Sequence, residues 1–237
     1  MNKSQSIVIA IILALSLNAW ADEPAAPQKP AADWGALFQM HYTQRTQEFR
    51  EQNQSFQNVV LVGDSITEGF DVAKYLPGRR VINRGIGADV IGNDLKPDDK
   101  RGVLKRLDES FFNLPATDAF LLIGINDLGD SHTPDQLEAG YRQILEKVKQ
   151  GAPRLRVHVQ SLLPTRGNHA KHNANVNDFN ERLQKLAKEF GYDYIDLHSK
   201  MVDDKGELKQ ELTADGLHIN ADGYKIWKAE IERTLNW

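Results

Sequence analysis

Short runs of apolar and β-branched residues recur along the chain and are separated by longer stretches of mixed character. Several of these runs end at a glycine, and each is too short to be a typical helix. Nearly continuous apolar runs of this length are typical of strands in a parallel sheet that is covered on both faces. The predicted strands are Val59–Val62, Val81–Asn83, Ala119–Ile123, Val157–Val159 and Tyr194–Asp196.

Between the predicted strands, apolar residues recur at spacings of three and four, which is the period of an amphipathic helix. Thr133 precedes Pro134 and Gln136, which is typical of a capped helix start, and Asn220 is expected to cap a final helix. A further helix is expected over about residues 33–52. The alternation predicts one α/β domain, with a three-layer α/β/α, flavodoxin-like fold and a parallel sheet of about five strands. We expect this domain to occupy residues 33–237.

The N-terminal residues have the pattern of a secretory signal peptide. A positively charged start precedes the apolar run Ile7–Leu17, and Ala19–Ala21 places small residues where a signal peptidase reads them. We therefore expect residues 1–21 to be removed and the protein to be exported to the periplasm or the medium. The run is short for a stable membrane anchor, although an uncleaved anchor is the alternative interpretation. Residues 22–32 are rich in proline and alanine and predict a linker.

Composition narrows the possible chemistry. The 237 residues carry a formal net charge of −4 and contain no cysteine. Disulfides, thiolate metal sites and cysteine nucleophiles are therefore excluded. No long basic run is present, so we expect no nucleic-acid partner. The sequence makes no prediction about the oligomeric state.

The segment after the first predicted strand contains a candidate nucleophile. In open parallel sheets, ligands bind beyond the carboxyl ends of the strands. Ser65 follows Gly63 and Asp64 at the turn from strand to helix. A serine at such a turn has an accessible hydroxyl and a backbone N–H near the positive end of the helix. The alternative interpretation is that Asp64 or Ser65 simply caps a helix.

A candidate base lies near the C-terminus, where Asp215 precedes His218 by three residues. A serine hydroxyl is a poor nucleophile at neutral pH and needs an adjacent base. An imidazole suits this role, and a carboxylate on its second nitrogen fixes the tautomer and stabilises the imidazolium. Taken alone, the pair is better interpreted as a capping aspartate and a surface histidine.

Four segments together resemble the signature blocks of the SGNH/GDSL hydrolase superfamily, in the order typical of that family. They are Gly63-Asp64-Ser65-x-x-x-Gly69, Asn83-x-Gly85-x-x-x-Asp89, Gly124-x-Asn126-Asp127 and Asp215-x-x-His218. The resemblance extends from about Val59 to the end of the chain. It implies hydrolysis of a carboxylic ester through an acyl-enzyme, without a metal or another cofactor.

The resemblance also implies roles for individual residues. Ser65 would be the nucleophile, His218 the general base and then the general acid, and Asp215 the group that orients His218. The oxyanion hole would use the Ser65 N–H, the Asn126 side-chain amide and one N–H of the second block. Ala88 stands where the family usually has glycine, and Gly87 is one residue earlier, so either N–H is a candidate.

Other motifs indicate competing functions less strongly. Gly85-x-Gly87 follows a strand, but Gly92 lacks the spacing of a dinucleotide fingerprint. His169-x-x-His172 could be half of a metal site, but its neighbours are typical of a solvated loop. Asp64 and Asp127 adjoin the candidate blocks, and we interpret them as capping or supporting groups.

The expected substrates are short-chain esters, such as acetyl groups on carbohydrates or small molecules. The alternatives are a lysophospholipase- or thioesterase-like lipolytic enzyme and a catalytically silent glycan-binding module on the same scaffold. The polar stretch of residues 91–101 is either a substrate-facing loop or a solvated insertion.

Overall fold

A five-stranded parallel sheet lies at the centre of the protein, with the strand order β2-β1-β3-β4-β5. Every position of β1 and of β3 is buried, because helices cover both faces of the sheet. The strands are β1 (Val59–Gly63), β2 (Val81–Gly85), β3 (Asp118–Leu122), β4 (Arg156–Gln160) and β5 (Asp193–Ile195). This order is the flavodoxin-like one, so the predicted three-layer fold is confirmed.

The computed structural model describes residues 33–53, 58–93 and 98–237. The predicted signal peptide and the linker at residues 22–32 lie outside these residues. Trp34–Trp237 form one compact unit. No helix in the described part of the chain is long and apolar enough to cross a membrane.

Among the described residues, one long helix precedes β1 and others follow β3, β4 and β5, and four short helices follow strands or turns. They are α1 (Trp34–Gln52), α2 (Ser65–Glu68), α3 (Val72–Tyr75), α4 (Ile125–Gly129), α5 (Pro134–Gly151), α6 (Asn173–Phe190), α7 (His198–Met201) and α8 (Ala221–Leu235). Both helix caps that the sequence predicts, at Thr133 and at Asn220, are present. Thr133 and Gln136 form a reciprocal capping box at α5, and the Asn220 side chain accepts N–H groups at the start of α8.

One predicted helical pattern differs in the structure. Val103, Leu104, Leu107 and Phe111 have the spacing of a helical pattern, but Val103–Lys105 is a 3₁₀ turn and Asp108–Phe112 is a π-helical turn. The break falls at Arg106, whose backbone leaves helical geometry at φ −132°. Its guanidinium is buried and bonds to several strand-end loops, so a buried charge overrides the local helical pattern.

The strand order places two candidate blocks at the same crevice. After β1 the chain connects to β2 on one side of the sheet, and after β3 it connects to β4 on the other side. Ligands in such sheets bind at this switch point. Ser65 follows β1, and Asn126 follows β3. Glycine permits close packing beside them, because a Cβ on Gly85 would lie 2.1 Å from the Glu68 backbone nitrogen.

Candidate active site

Ser65, His218 and Asp215 form a continuous chain of hydrogen-bond distances. The Ser65 Oγ lies 2.9 Å from His218 Nε2, and His218 Nδ1 lies 2.7 Å from Asp215 Oδ2. Ser65 and His218 are 153 residues apart in sequence, so only the fold brings them together. The distances allow His218 to accept the serine proton while Asp215 holds the other ring nitrogen.

The first turn of α2 orients Ser65. The Asp64 side chain caps this helix by accepting the Ile66 N–H at 3.0 Å. Tyr224 fixes the same turn from α8, because its hydroxyl donates to the Ile66 carbonyl at 2.9 Å. As the first helical residue, Ser65 has a backbone N–H with no acceptor in its own helix. Both the hydroxyl and the N–H of Ser65 are therefore available at the crevice.

A tight loop orients His218. The Asp215 Oδ1 accepts the backbone N–H groups of Leu217 at 2.9 Å and His218 at 2.8 Å. The Thr213 hydroxyl donates to the His218 carbonyl at 2.7 Å and accepts the Gly216 N–H. Gly216 has φ +84°, a conformation that glycine adopts without a steric penalty.

Asp215 remains ionised well into the acid range. Partial burial raises its pKa, but hydrogen bonds from the His218 ring and from two backbone N–H groups outweigh this effect and lower the pKa below its ordinary value. The side chains of His218 and Asp215 are 34% and 40% exposed, so this half of the site is in contact with water.

The structure separates the two second-block candidates for the oxyanion hole. The Gly87 N–H donates to Glu68 Oε2 at 2.6 Å and is therefore occupied. Ala88 has φ +59°, in the left-handed region, and its N–H forms no hydrogen bond with another described residue. Asn126 Nδ2 donates one proton to the Asp89 carbonyl at 2.9 Å, which leaves the second proton of the amide available.

Buried charges lie directly beneath these loops. Asp64, Asp89 and Asp127 are at most 2% exposed, and burial raises the pKa of each. The pKa of Asp64 and that of Asp127 are each about 7. Asp89 has a cationic partner in direct contact, because Arg106 Nε donates to its carboxylate at 2.8 Å. Arg106 also donates to the Gly63 carbonyl at 3.1 Å and so joins the first and second blocks.

Sequence reasoning missed two of the residues that organise the site. Arg106 lies outside all four blocks, and no spacing pattern links it to Asp89. Glu68 lies inside the first block but in a position to which the resemblance assigns no role. Its carboxylate holds the Gly87 N–H, a contact that only the folded chain reveals.

The predicted histidine pair lies in a short turn. His169 and His172 belong to the 3₁₀ helix Gly167–His172, where partial burial lowers the pKa of His172. Within the described residues, no group of histidine, aspartate and glutamate side chains could hold a metal ion.

The doubly wound parallel sheet, with polar side chains converging at its switch point, defines a three-layer α/β/α protein whose candidate site lies where this fold binds ligands. Residues 61–226 match the GDSL-like Lipase/Acylhydrolase family, and the chain belongs to this family. This confirms the resemblance found in the sequence.

Solved structures share the fold. A GDSL-like lipase from Bacteroides thetaiotaomicron VPI-5482 matches with a TM-score of 0.70 and 22% identity, over 82% of this chain and 97% of that chain. A variant of an acetyl-xylooligosaccharide esterase from Geobacillus Stearmophilus matches with a TM-score of 0.59 and 17% identity, over 77% of this chain and 95% of that chain.

One curated relative is longer than this protein. An N-acylneuraminate cytidylyltransferase from Escherichia coli is 27% identical over 191 residues, which cover 79% of this chain and 42% of the relative. The chain thus spans about two fifths of the length of that protein.

Proposed function

We propose that the protein is a serine esterase that hydrolyses carboxylic esters through an acyl-enzyme. The observation that carries the proposal is the Ser65–His218–Asp215 chain, with distances of 2.9 and 2.7 Å at the carboxyl edge of the sheet. Family membership supports hydrolysis in general, and this chain of contacts supports a serine mechanism in particular.

In the proposed first half-reaction, the Ser65 Oγ attacks the ester carbonyl carbon while its proton passes to His218 Nε2. Asp215 stabilises the imidazolium through Nδ1. The carbonyl oxygen becomes an oxyanion, for which the N–H groups of Ser65 and Ala88 and the free amide proton of Asn126 are the donors. Donors aimed at the developing charge are often the largest single catalytic contribution.

The first half-reaction ends when the tetrahedral intermediate collapses to the acyl-enzyme and His218 transfers its proton to the leaving alkoxide. A water molecule then attacks the acyl group on Ser65, and His218 removes a proton from this water. Collapse of the second intermediate releases the acid and restores the Ser65 hydroxyl with the proton from His218. No metal is required, because the imidazole supplies and removes every proton.

Short acyl groups on carbohydrates or small molecules are the proposed substrates. Two proteins similar to this chain carry carbohydrate names, an acetyl-xylooligosaccharide esterase and an N-acylneuraminate cytidylyltransferase. The exposure of the Asp215–His218 loop also favours a polar, water-accessible substrate. We further propose export after removal of residues 1–21, which N-terminal sequencing of secreted protein would test by a start at Asp22.

The test compares wild type with Ser65→Ala on p-nitrophenyl esters from acetate to palmitate. We expect wild type to prefer the shortest esters and Ser65→Ala to fold normally with less than a few per cent of the activity. A preference for palmitate would favour the lipolytic alternative, and an inactive wild type would favour the silent binding module. Comparable activity in Ser65→Ala would contradict the serine mechanism. Acetylated xylooligosaccharides and O-acetylated acylneuraminates then test the carbohydrate assignment.

A further inference from the structure

Ala88 has a backbone conformation that requires support from its neighbours. Its φ of +59° is a left-handed conformation, which is disfavoured for a residue with a Cβ. A residue remains in such a conformation only where its surroundings hold it there. One hydrogen bond fixes the chain just before the Ala88 N–H, and another fixes it just after. A charged side chain makes each of these hydrogen bonds.

Glu68 fixes the chain before Ala88. It lies three residues after Ser65, at the end of α2, and its carboxylate accepts the Gly87 N–H at 2.6 Å. The side chain is 16% exposed, so the hydrogen bond is largely protected from water. Because this contact occupies the Gly87 N–H, the Ala88 N–H is the one of the two candidates that has no hydrogen-bond partner among the described residues.

Helix α1 fixes Glu68 in turn. His41 Nε2 lies 3.1 Å from both carboxylate oxygens, and Arg45 Nε lies 3.4 Å from Oε1. Arg45 also donates to the Gly85 carbonyl at 3.3 Å, so the Arg45 side chain contacts both Glu68 and the second block. The carboxylate therefore has contacts on several sides and little freedom to turn.

Arg101 fixes the chain after the Ala88 N–H. Its guanidinium donates to the Ala88 carbonyl at 2.8 Å and pairs with Asp99 at 2.9 Å and Asp130 at 3.1 Å. The side chain is 15% exposed. Arg101 ends the polar stretch whose role the sequence left open, and Asp130 follows α4. Arg101 therefore links the second block to the end of α4.

We propose that Glu68 and Arg101 are positioning residues that hold residues 85–89, here called the oxyanion loop, so that the Ala88 N–H faces the reacting carbonyl. The inference rests on the proposed esterase function and deepens it. Neither side chain touches the substrate, and each acts through the backbone on one side of Ala88. His41 and Arg45 act one step further away, through Glu68.

If Glu68 only stabilised the fold, its variants would lose stability and keep their turnover. Glu68 also joins α1 to the rest of the domain, so its removal could lower stability without affecting turnover. Glu109 provides the matched control, because its carboxylate accepts from Arg50 of α1 at 2.6 Å without contacting the oxyanion loop. Loss of that pair weakens the attachment of α1 and leaves Ala88 untouched.

The experiment measures kcat, KM and thermal melts for Glu68→Ala, Glu68→Gln, Arg101→Met and Glu109→Gln on p-nitrophenyl acetate. Glu68→Ala and Arg101→Met should lower kcat by roughly 10- to 100-fold, as a displaced catalytic group does, with KM within about twofold. Glu68→Gln should recover most of the loss, because its amide oxygen can still accept the Gly87 N–H. Glu109→Gln should keep the wild-type kcat.

Two further measurements separate the possible failures. The double variant His41→Ala/Glu68→Ala should be no slower than Glu68→Ala alone, because His41 acts only through Glu68. The acid limb of the pH profile should keep its position in every positioning variant, because His218 and Asp215 are unchanged.

A wild-type kcat in both Glu68→Ala and Arg101→Met would overturn this inference, and so would an equal loss in Glu109→Gln. Arg101→Met tests the loop from its other side even if Glu68→Ala folds poorly. If wild type is inactive or Ser65→Ala is active, the proposed function fails instead.

Discussion

The strand-end loops of the site contain or contact fully buried charged side chains, whereas the loop of Asp215 and His218 lies partly in water. Arg106 and Asp89 have fully buried side chains, but those of His218 and Asp215 are 34% and 40% exposed. We call residues 63–69, 85–89 and 124–127 the strand-end half and residues 213–218 the C-terminal half. The strand-end half would supply the nucleophile and the oxyanion donors, which need fixed positions. The C-terminal half would supply the base, which exchanges protons with substrate and water.

The two halves also differ in how their carboxyl groups are charged. Burial raises the pKa of the strand-end carboxyl groups, whereas hydrogen bonds lower that of Asp215. Burial of the strand-end carboxyl groups lowers the stability of the fold, but it provides a rigid, water-free support beneath the oxyanion loop. The hydrogen bonds to Asp215 keep a carboxylate ionised beside the imidazole. The predictions below test this difference, beginning with the largest effect.

Loss of the buried cation should have the largest effect on stability. Arg106→Met leaves Asp89 buried without its partner and should lower the free energy of unfolding by about 3–5 kcal/mol. For a domain of this size, this corresponds to a melting temperature lower by roughly 6–20 °C. The control is Arg142→Met, which breaks a solvent-exposed pair with Glu189. Equal decreases in melting temperature in the two variants would contradict the claim that the buried pair contributes more to stability than the exposed pair.

Asn126→Ala should have the largest effect on turnover in the strand-end half. If its amide donates only in the transition state, kcat should fall by about 10²–10³-fold while KM stays nearly unchanged. Asn126→Asp should be no better, because a carboxylate repels the developing negative charge. Steady-state kinetics with thermal melts test this. Near-normal kcat in either variant would remove Asn126 from the proposed oxyanion hole.

Asp64 and Asp71 offer a matched test of carboxyl burial, because both cap short helices. Asp64 is 1% exposed with a pKa of about 7, and its Oδ2 has no hydrogen-bond partner within the described residues. Asp71 is exposed. Because the folded state binds the Asp64 proton more tightly than the unfolded chain, this group's stabilising contribution is lost as pH rises from about 4 to about 7.

Asp64→Asn should therefore lose less stability over that pH range than wild type, by on the order of 1–3 kcal/mol. Asp127 has a similarly raised pKa, so part of the pH dependence should remain. Asp71→Asn should follow wild type. Urea unfolding at several pH values measures these slopes, and parallel curves for wild type and Asp64→Asn would contradict the buried-proton account.

The smallest expected effect is at Ala88. Glycine relieves the left-handed strain but adds freedom to the unfolded chain, so Ala88→Gly should stabilise the protein by at most about 1 kcal/mol. The backbone N–H remains, and kcat should stay within about twofold. Ala229→Gly, at an exposed position in the middle of α8, should instead destabilise by roughly 0.5–1 kcal/mol. Equal destabilisation in both variants would contradict the account of Ala88.

Much of the fold could be predicted from local patterns. The apolar runs predicted all five strands to within about two residues, and Thr133 and Asn220 predicted two helix starts through their caps. The arrangement of Ser65 and His218 could be expected from the strand-end rule together with the family resemblance. These features depend on periodicity, capping chemistry or motif spacing.

The supporting contacts could not be predicted in this way. Arg106, Glu68 and Arg101 act through tertiary hydrogen bonds to the strand-end loops, and their sequence neighbours give no indication of these partners. The choice between Gly87 and Ala88 also depended on such a contact, because Glu68 occupies one of the two N–H groups. A charged side chain leaves no periodic pattern when its partner lies on another element.

The most direct test of the central claim is covalent labelling of the nucleophile. A fluorophosphonate should add a single group to the folded wild-type protein, and peptide mass spectrometry should locate it on Ser65. His218→Ala should label far more slowly, because the hydroxyl loses its base. An active esterase that is labelled at another residue, or that resists labelling altogether, would contradict the assignment of Ser65 as the nucleophile.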